Sequence, residues 1–331
     1  MSNQKNEYVL MLHSTTTALF SQISTHAIPP TLNHLSGEAH VKIGPVDLVL
    51  NDYEELKASL EESPEITVQT LKLFDVLVLM LSQQNKYRCD STRINCTVSI
   101  SLSDYLQICG KPLTKSSKDE ARKTLSKELE LLCHISLSGS EQYGKQNKFV
   151  PSTKLLEQAH IVTGKIIATF SKQMANYLIH AYVTQYPIAL LATDNRAPAA
   201  YFVGKKLAYH YGLRQNRSKG SYNCLSVSAL LKVIPTIPSF EKLEQTDPGH
   251  WIRRIRTPLE KALDALKNLG VLSTWEYCLS KRQKISDLSR YFQDYQTYSG
   301  IYIHFEFKDY PVVKAARHKE KHTALPEKPA V

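Results

Sequence analysis

The two halves of the chain repeat one order of predicted elements, and this repetition constrains the fold more than any other feature. In each half an amphipathic helix, a short capped helix, a turn and a longer helix lead into the strands of a hairpin. A shift of 137 residues superposes the apolar positions at which the long helix becomes a strand: Leu129, Leu132 and Ile135 match Leu266, Leu269 and Leu272. The matched order around these positions predicts two copies of one module.

The first copy is marked by helical periodicity and by capping residues. Apolar side chains recur on one face of a predicted helix at Leu71, Phe74, Leu77, Val78 and Leu81. Alternation over 94–100 predicts a strand, and Ser101 caps a two-turn helix. The pair Ser117 and Glu120 has capping-box spacing and predicts the start of a longer helix. That helix leads into a strand over 135–137, from which a hairpin is expected to return through 161–170, and Ser171 caps a further helix over 172–183.

The second copy shows the same signals. A helix is predicted to start near Pro198, and Ser226 caps a short helix. The segment Thr257-Pro258-Leu259-Glu260 has both a capping-box spacing and a proline suited to a first turn, so a helix is predicted over 258–269. Residues 250–256 either continue this helix with a kink or form a separate turn. Strands over 271–277 and 301–307 then form a hairpin with a long basic connection.

Three small helices with a two-stranded wing describe the winged variant of helix-turn-helix. We therefore predict a helix-rich α+β protein of two tandem winged-helix domains with a pseudo-two-fold relation. The predicted divisions are an accessory segment over 1–64, winged-helix domains over 65–195 and 196–310, and a disordered basic tail over 311–331. Alternating apolar residues over 41–50 predict strands in the accessory segment.

Positive charge is concentrated toward the C-terminus. Residues 1–65 hold 3 basic and 9 acidic side chains, residues 66–195 hold 15 and 10, and residues 196–331 hold 23 and 12, giving −6, +5 and +11. Such a gradient favours a polyanionic partner for the second half, because Lys and Arg that neutralise phosphates release counterions. A basic surface without a partner would give the same sums. The positions of the charges along the chain therefore have to distinguish the two alternatives.

Composition excludes several classes of protein. The longest run of strong hydrophobes, 76–81, is too short for a bilayer span of about twenty residues. The first residues lack the pattern of an export signal, and we expect a cytoplasmic protein. None of the six cysteines forms the closely spaced pairs of a zinc or redox site, and we expect reduced, mostly buried thiols.

The second copy places cations where a recognition helix begins. Arginine reads guanine with two hydrogen bonds, and three arginines within four positions at a helix start favour contact with DNA. A basic connection between the wing strands would hold phosphates, although exposed basic loops without a partner are also frequent. The predicted DNA-binding residues in this copy are Arg253, Arg254, Arg256, Lys261, Lys281, Arg282 and Lys284.

The first copy carries a weaker version of the same pattern. Its predicted DNA-binding residues, at the start of the long helix, are Lys115, Lys118, Arg122 and Lys123. Acids at Asp119, Glu120 and Glu128 leave open an ordinary solvated face of paired charges. Aromatic residues over 291–298 could stack on bases, but their spacing of three to four favours packing of an inserted helix against the wing.

The order of elements, with the segments SLSDYLQICG, ARKTLSKELELLCHI and IRRIRTPLEKALDALKNLGVLSTWEY, resembles the replication initiators of iteron-type plasmids and related mobile elements. The resemblance covers roughly residues 65–310. It implies binding of repeated double-stranded sites in an origin, with the C-terminal module making the main sequence-specific contact. It also implies host replication proteins as partners and a switch between monomer and homodimer through the N-terminal module. A transcriptional repressor built of the same modules is the alternative.

Enzymatic readings find little support in the sequence. The segment 139–146 approaches a phosphate-binding loop, but Gln146 stands where Ser or Thr should ligate magnesium. A metal-dependent nicking initiator would need two histidines flanking one residue on a strand, and His304 stands alone in IYIHFEF. We therefore expect no catalysis, no cofactor and no metal.

Overall fold

The computed structural model of the chain describes residues 8–11, 31–33, 38–43, 46–61, 64–85, 94–143, 146–180, 184–212 and 220–308. Within these ranges, no helix combines the length and the apolar character that crossing a bilayer requires. The predicted tail over 311–331 and the end of the predicted helix over 172–183 lie outside them.

The chain combines α-helices with antiparallel strands. The strands are β1 (Tyr8–Met11), β2 (Thr31–Asn33), β3 (Glu38–Ile43), β4 (Val46–Leu50), β5 (Thr97–Ser101), β6 (Ile135–Tyr143), β7 (Gln146–Lys154), β8 (Leu156–Val162), β9 (Lys165–Phe170), β10 (Thr184–Pro187), β11 (Cys224–Ser226), β12 (Leu272–Cys278) and β13 (Tyr302–Phe307). The α-helices are α1 (Tyr53–Leu60), α2 (Val68–Gln84), α3 (Leu102–Ile108), α4 (Lys115–His134), α5 (Lys172–His180), α6 (Ala199–Gly212), α7 (Val227–Leu231), α8 (Phe240–Thr246), α9 (Thr257–Asn268) and α10 (Tyr295–Gly300).

Two units share one topology, which confirms the predicted duplication. The first unit runs α2, β5, α3, α4, β8, β9, and its sheet has the order β5-β9-β8. The second runs α6, β11, α7, α9, β12, β13, and its sheet has the equivalent order β11-β13-β12. Ser101 and Ser226 occupy the same position, each accepting a hydrogen bond from a backbone N–H in the first turn of the short helix. Each unit is a three-helix winged helix. The pseudo-two-fold relation between them stays a prediction.

Each unit also contains an insertion. Ser101 and Ser226 are 125 residues apart, whereas Leu129 and Leu266 are 137 apart. The difference of 12 residues arises where the second unit inserts α8 before its long helix. In the first unit the β6–β7 hairpin lies between the long helix and the wing.

The strand that begins at Ile135 belongs to a different sheet from the predicted one. It pairs with β4 and β7 in a five-stranded sheet of order β2-β3-β4-β6-β7, so the predicted pairing of this strand with 161–170 is wrong. The wing hairpin is β8–β9, which turns at Thr163 and Gly164. The predicted strands over 41–50 are confirmed as β3 and β4. Strands β2, β3 and β4 of the segment 1–64 therefore form one sheet with the inserted hairpin β6–β7.

Two predicted capping boxes are misplaced. The cap of α4 is Thr114, whose hydroxyl accepts a hydrogen bond from the Ser117 backbone N–H, so this helix starts three residues earlier than predicted. Thr257 has helical backbone angles because the chain is already helical from Ile252, and it caps nothing. In both cases a Ser or Thr three residues before a Glu fits the capping-box pattern without being the helix terminus.

The two units meet along α2 and α6 through a buried connection. A 3₁₀-helix, Ile188–Ala192, lies between them, with Leu190 and Leu191 fully buried. A Cβ atom added at Gly204 of α6 would lie 2.2 Å from a methyl carbon of Leu190 and 3.0 Å from one of Leu266. The connection between the units is therefore part of the hydrophobic core.

A buried polar cluster joins the same two helices. Lys205 donates from Nζ to the Asp75 carboxylate at 2.9 and 3.1 Å and to the Tyr201 hydroxyl at 3.1 Å. Tyr201 in turn donates to Asp75. One turn away, Lys72 donates from Nζ to the Thr193 carbonyl and to Oδ1 of Asn195. Because each of these groups is hydrogen-bonded, the cluster fixes how α2 and α6 pack; Lys205 is paired with a carboxylate, whereas Lys72 has neutral partners.

Candidate nucleic-acid interface

The long helix of the second unit is longer than predicted. A π-helical turn, Ile252–Arg256, runs directly into α9, so residues 252–268 form one composite helix. This resolves the open question about 250–256: the segment continues the helix. Single π turns widen a helix locally and are frequent at functional sites. Here the wide turn lies at the end of the helix that carries three of the predicted arginines.

An aromatic cluster anchors this end of the helix. Trp251 is buried, and its ring centroid lies 5.2 Å from that of Tyr298. The Phe240 and Tyr295 rings stack at 4.1 Å with an interplanar angle of 2°. The two insertions, α8 and the connection between the wing strands, therefore pack on each other and on the helix. This confirms that the aromatic residues over 291–298 are packing residues.

Arg253 and Arg254 lie on the exposed side of the π turn. Their side chains are 68% and 56% exposed. Both pair with one carboxylate, Asp247: Arg254 Nε lies 3.0 Å and Arg253 Nη2 lies 3.3 Å from Oδ2. Nε2 of His250 lies 3.6 Å from the other oxygen of Asp247. The hydrogen bond from Arg254, with smaller contributions from His250 and Arg253, lowers the pKa of Asp247 below its ordinary value.

Arg256 has a different environment. Its side chain is only 21% exposed, its guanidinium carbon lies 4.3 Å from the centroid of the Phe292 ring, and Nε lies 3.5 Å from Glu260 Oε1. Tyr277 of the wing donates to the same Glu260 oxygen at 3.2 Å. Arg256 thus stabilises the contact between the helix and the connection of the wing strands. Only a small part of its side chain remains exposed to a ligand. Its contact with DNA stays a prediction.

The exposed face of α9 continues from the two arginines. Lys261, Asp264, Lys267 and Asn268 are exposed along it. Asp264 accepts a hydrogen bond from Trp275 Nε1 of the wing at 2.9 Å. Of these four residues, only Lys261 is among the DNA-binding residues predicted from the sequence. Helical spacing from Arg254 would have found Lys261, Asp264 and Asn268, which follow it by 7, 10 and 14 residues.

The basic connection between the wing strands follows β12. Lys281 and Arg282 lie in a 3₁₀ turn, Ser280–Arg282, and Lys284 is exposed. Arg282 has a φ of 63° and donates from Nη2 to the Gly220 carbonyl at 2.7 Å, with its guanidinium 5.2 Å from the Tyr222 ring. Although Arg282 is held by this hydrogen bond, its side chain remains exposed beside the wing.

In the first unit the predicted cations lie at the start of α4. Lys115, Arg122 and Lys123 are exposed and Lys118 is half-buried. Arg122 lies 3.8 Å from Asp119 in an exposed i, i+3 pair. Farther along the helix, Glu128 accepts a hydrogen bond from Thr70 of α2, so that acid is engaged in packing. The structure brings these four residues together on one helix, and their contact with DNA stays a prediction.

Within the described ranges, His, Cys, Asp and Glu form no group of three that could hold a metal ion. His304 lies 3.4 Å from Glu276 and 2.9 Å from the Asn223 amide nitrogen. Cys224 and Cys278, whose sulfur atoms are 3.6 Å apart, are buried free thiols on the flanking strands. These side chains contact one another within the sheet of order β11-β13-β12.

The topology, the paired units and the exposed cationic helix define a tandem winged-helix protein of mixed α+β class. No protein-family model matches the chain, and no curated protein matches it. Solved structures similar to it include domains 2 and 3 of RctB as a selenomethionine derivative, with a TM-score of 0.43, 11% identity and coverage of 88% of this chain and 98% of that chain. The Pi initiator protein in complex with iteron DNA has a TM-score of 0.43, 13% identity and coverage of 73% and 95%. A second structure of RctB domains 2-3 has a TM-score of 0.40, 13% identity and coverage of 87% and 96%.

Proposed function

We propose that this chain binds double-stranded DNA sequence-specifically at repeated sites of a plasmid or mobile-element origin and initiates replication there, without catalysis of its own. The observation that carries the proposal is the exposed pair Arg253 and Arg254 at the start of a helix that a wing flanks. The sequence resemblance of residues 65–310 to iteron initiators supports replication as the consequence of binding. Recruitment of host replication proteins and a homodimeric state are part of the same proposal.

The geometry suits the major groove of a duplex. An α-helix fits that groove, and base edges are read by donors near the start of the helix. Arg253 and Arg254 are such donors, and Lys261 follows one to two turns later on the exposed face. Arg282 and Lys284 beside the wing supply charge for phosphates, which fixes the register of the helix. We assign Lys115, Lys118, Arg122 and Lys123 to the weaker contact of the first unit.

The first experiment selects duplexes from a random 30-base-pair pool with the full chain at about 150 mM salt, where purely electrostatic binding is weak. We expect enrichment of one repeated motif. Arg254→Ala should then lower the preference for that motif by about 1 to 3 kcal/mol, whereas Arg282→Ala should weaken binding to all duplexes alike. Equal, small losses for both variants would remove the assignment of the recognition helix, and a pool without enrichment would refute sequence-specific binding.

The second experiment separates initiation from repression. A minimal plasmid that carries the enriched motif beside an AT-rich tract should replicate when the chain is supplied, and permanganate footprinting should detect unpaired thymines in the tract. Binding of the motif with neither replication nor melting would contradict the initiator proposal.

A further inference from the structure

Asp247 lies between α8 and the composite helix, and two of the three arginines of the π turn, Arg253 and Arg254, pair with its carboxylate. It ends α8, a position where the partial negative charge of a helix terminus disfavours a carboxylate. Three cationic or titratable side chains within seven residues, His250, Arg253 and Arg254, face its two oxygens at 3.0 to 3.6 Å. Its backbone N–H caps α8 by donating to the Leu243 carbonyl, and its carboxylate is held by these three partners.

The two arginines use different atoms for this carboxylate. Arg254 donates from Nε, so its two terminal nitrogens remain available on one edge of the guanidinium plane. Arg253 donates from one terminal nitrogen and keeps the other nitrogens available. The two terminal nitrogens of a guanidinium can together donate two hydrogen bonds to guanine in the major groove. Asp247 therefore leaves Arg254 in the orientation that suits reading a base.

The same carboxylate lowers the attraction of this surface for any phosphate. It offsets one of the two arginine charges at a surface where each neutralised phosphate contributes to non-specific affinity. An acid that restrains a base-reading arginine raises the ratio of specific to non-specific binding. Its charge, in contrast, lowers the affinity for every duplex alike.

From this geometry, and resting on the proposed function, we propose that Asp247 is a positioning residue that determines sequence specificity. It holds Arg254 with its terminal N–H groups toward the duplex, and its charge lowers binding to all duplexes alike. Asp247 itself contacts no base in this proposal, and it acts through Arg254.

The test uses the full chain, the motif enriched from the random pool and a scrambled duplex of the same composition. Asp247→Asn removes the charge but keeps an oxygen that accepts from Arg254, whereas Asp247→Ala removes both. We expect tighter binding of the scrambled duplex by both variants, with a dependence of log K on log salt that is steeper by about 0.9. Discrimination between motif and scrambled duplex should fall about tenfold in Asp247→Ala and less in Asp247→Asn.

A matched control and a double-mutant cycle separate positioning from bulk charge. Glu241→Gln removes one exposed acid from the first turn of the same helix α8, and it should leave discrimination unchanged. In an Arg254→Ala background, Asp247→Ala should cause no further loss of discrimination. The thermal unfolding midpoint of each variant shows whether it is folded. If Asp247→Ala is unfolded, discrimination is compared between the wild type and Asp247→Asn.

The results separate failure of the proposed function from failure of this inference. If the wild-type chain enriches no motif, the proposed function and this inference both fail. If a motif is enriched but Asp247→Ala and Asp247→Asn discriminate as the wild type does, the inference alone is overturned. Equal loss in Glu241→Gln would show an effect of net charge, and additive loss in the Arg254→Ala background would show that Asp247 acts independently, and either result also overturns it.

Discussion

Asp75→Asn should destabilise the whole chain, because it leaves the Lys205 ammonium buried beside a neutral amide. The side chains of Lys205 and Asp75 are 7% and 14% exposed, and both carboxylate oxygens accept from the ammonium. Removing one partner of a buried ion pair costs about 3 to 5 kcal/mol, because the remaining charge loses its compensation and stays out of water. The Asn side chain keeps an acceptor for Tyr201, so the loss reports on the charge and not on the hydroxyl.

The assay is urea unfolding of the full chain at pH 7, followed by circular dichroism and by tryptophan fluorescence. The double variant Asp75→Asn/Lys205→Met removes both charges at similar volume, and we expect it to recover most of the lost stability. A loss below about 1 kcal/mol in the single variant, or an equal loss in the single and the double variant, would refute the assignment of this pair as the charge-compensated centre of the α2–α6 contact.

Two further predictions concern the same contact. Burial lowers the pKa of Lys72 from 10.5 to about 8, so the unfolded chain binds more protons between these pH values and stability rises with pH across them. The free energy of unfolding of wild type relative to Lys72→Met should therefore increase by about 2 kcal/mol from pH 7 to pH 9.5, and an unchanged difference would contradict this. Gly204→Ala should cost about 1 to 3 kcal/mol by thermal unfolding, because the added methyl overlaps Leu190 and Leu266, whereas Gly300→Ala has open space and should change little.

Much of the winged-helix architecture follows from patterns within single elements. The periodicity of Leu71, Phe74 and Leu77 predicts α2 because one helical face has to be buried, and all three side chains are buried. Alternation in IYIHFEF predicts β13 in the same way, with Ile303 and Phe305 buried. These signals depend on neighbours within a few residues, and such neighbours are visible in a sequence.

The features that were not predicted from the sequence depend mainly on contacts between distant segments. The partner of Ile135 is Leu50 in a sheet that the N-terminal segment completes, and nothing near Ile135 specifies it. The π turn differs from an α-helical turn by less than one residue per turn. A difference this small leaves no recognisable pattern in the five residues of the turn. Asp247 precedes Pro248 and Gly249 and therefore looks like an ordinary turn residue, although in the structure its carboxylate accepts hydrogen bonds from Arg253 and Arg254.

The buried ion pair also sets a condition on synthesis of the chain. Asp75 and Lys205 are 130 residues apart, so the acid leaves the ribosome long before the base exists. At translation rates of about 5 to 20 residues per second, the nascent first unit waits roughly 7 to 26 seconds for its partner helix. During this interval the face of α2 that carries Asp75 is exposed to solvent or to chaperones, and the first unit reaches its native packing only after the second has begun to emerge.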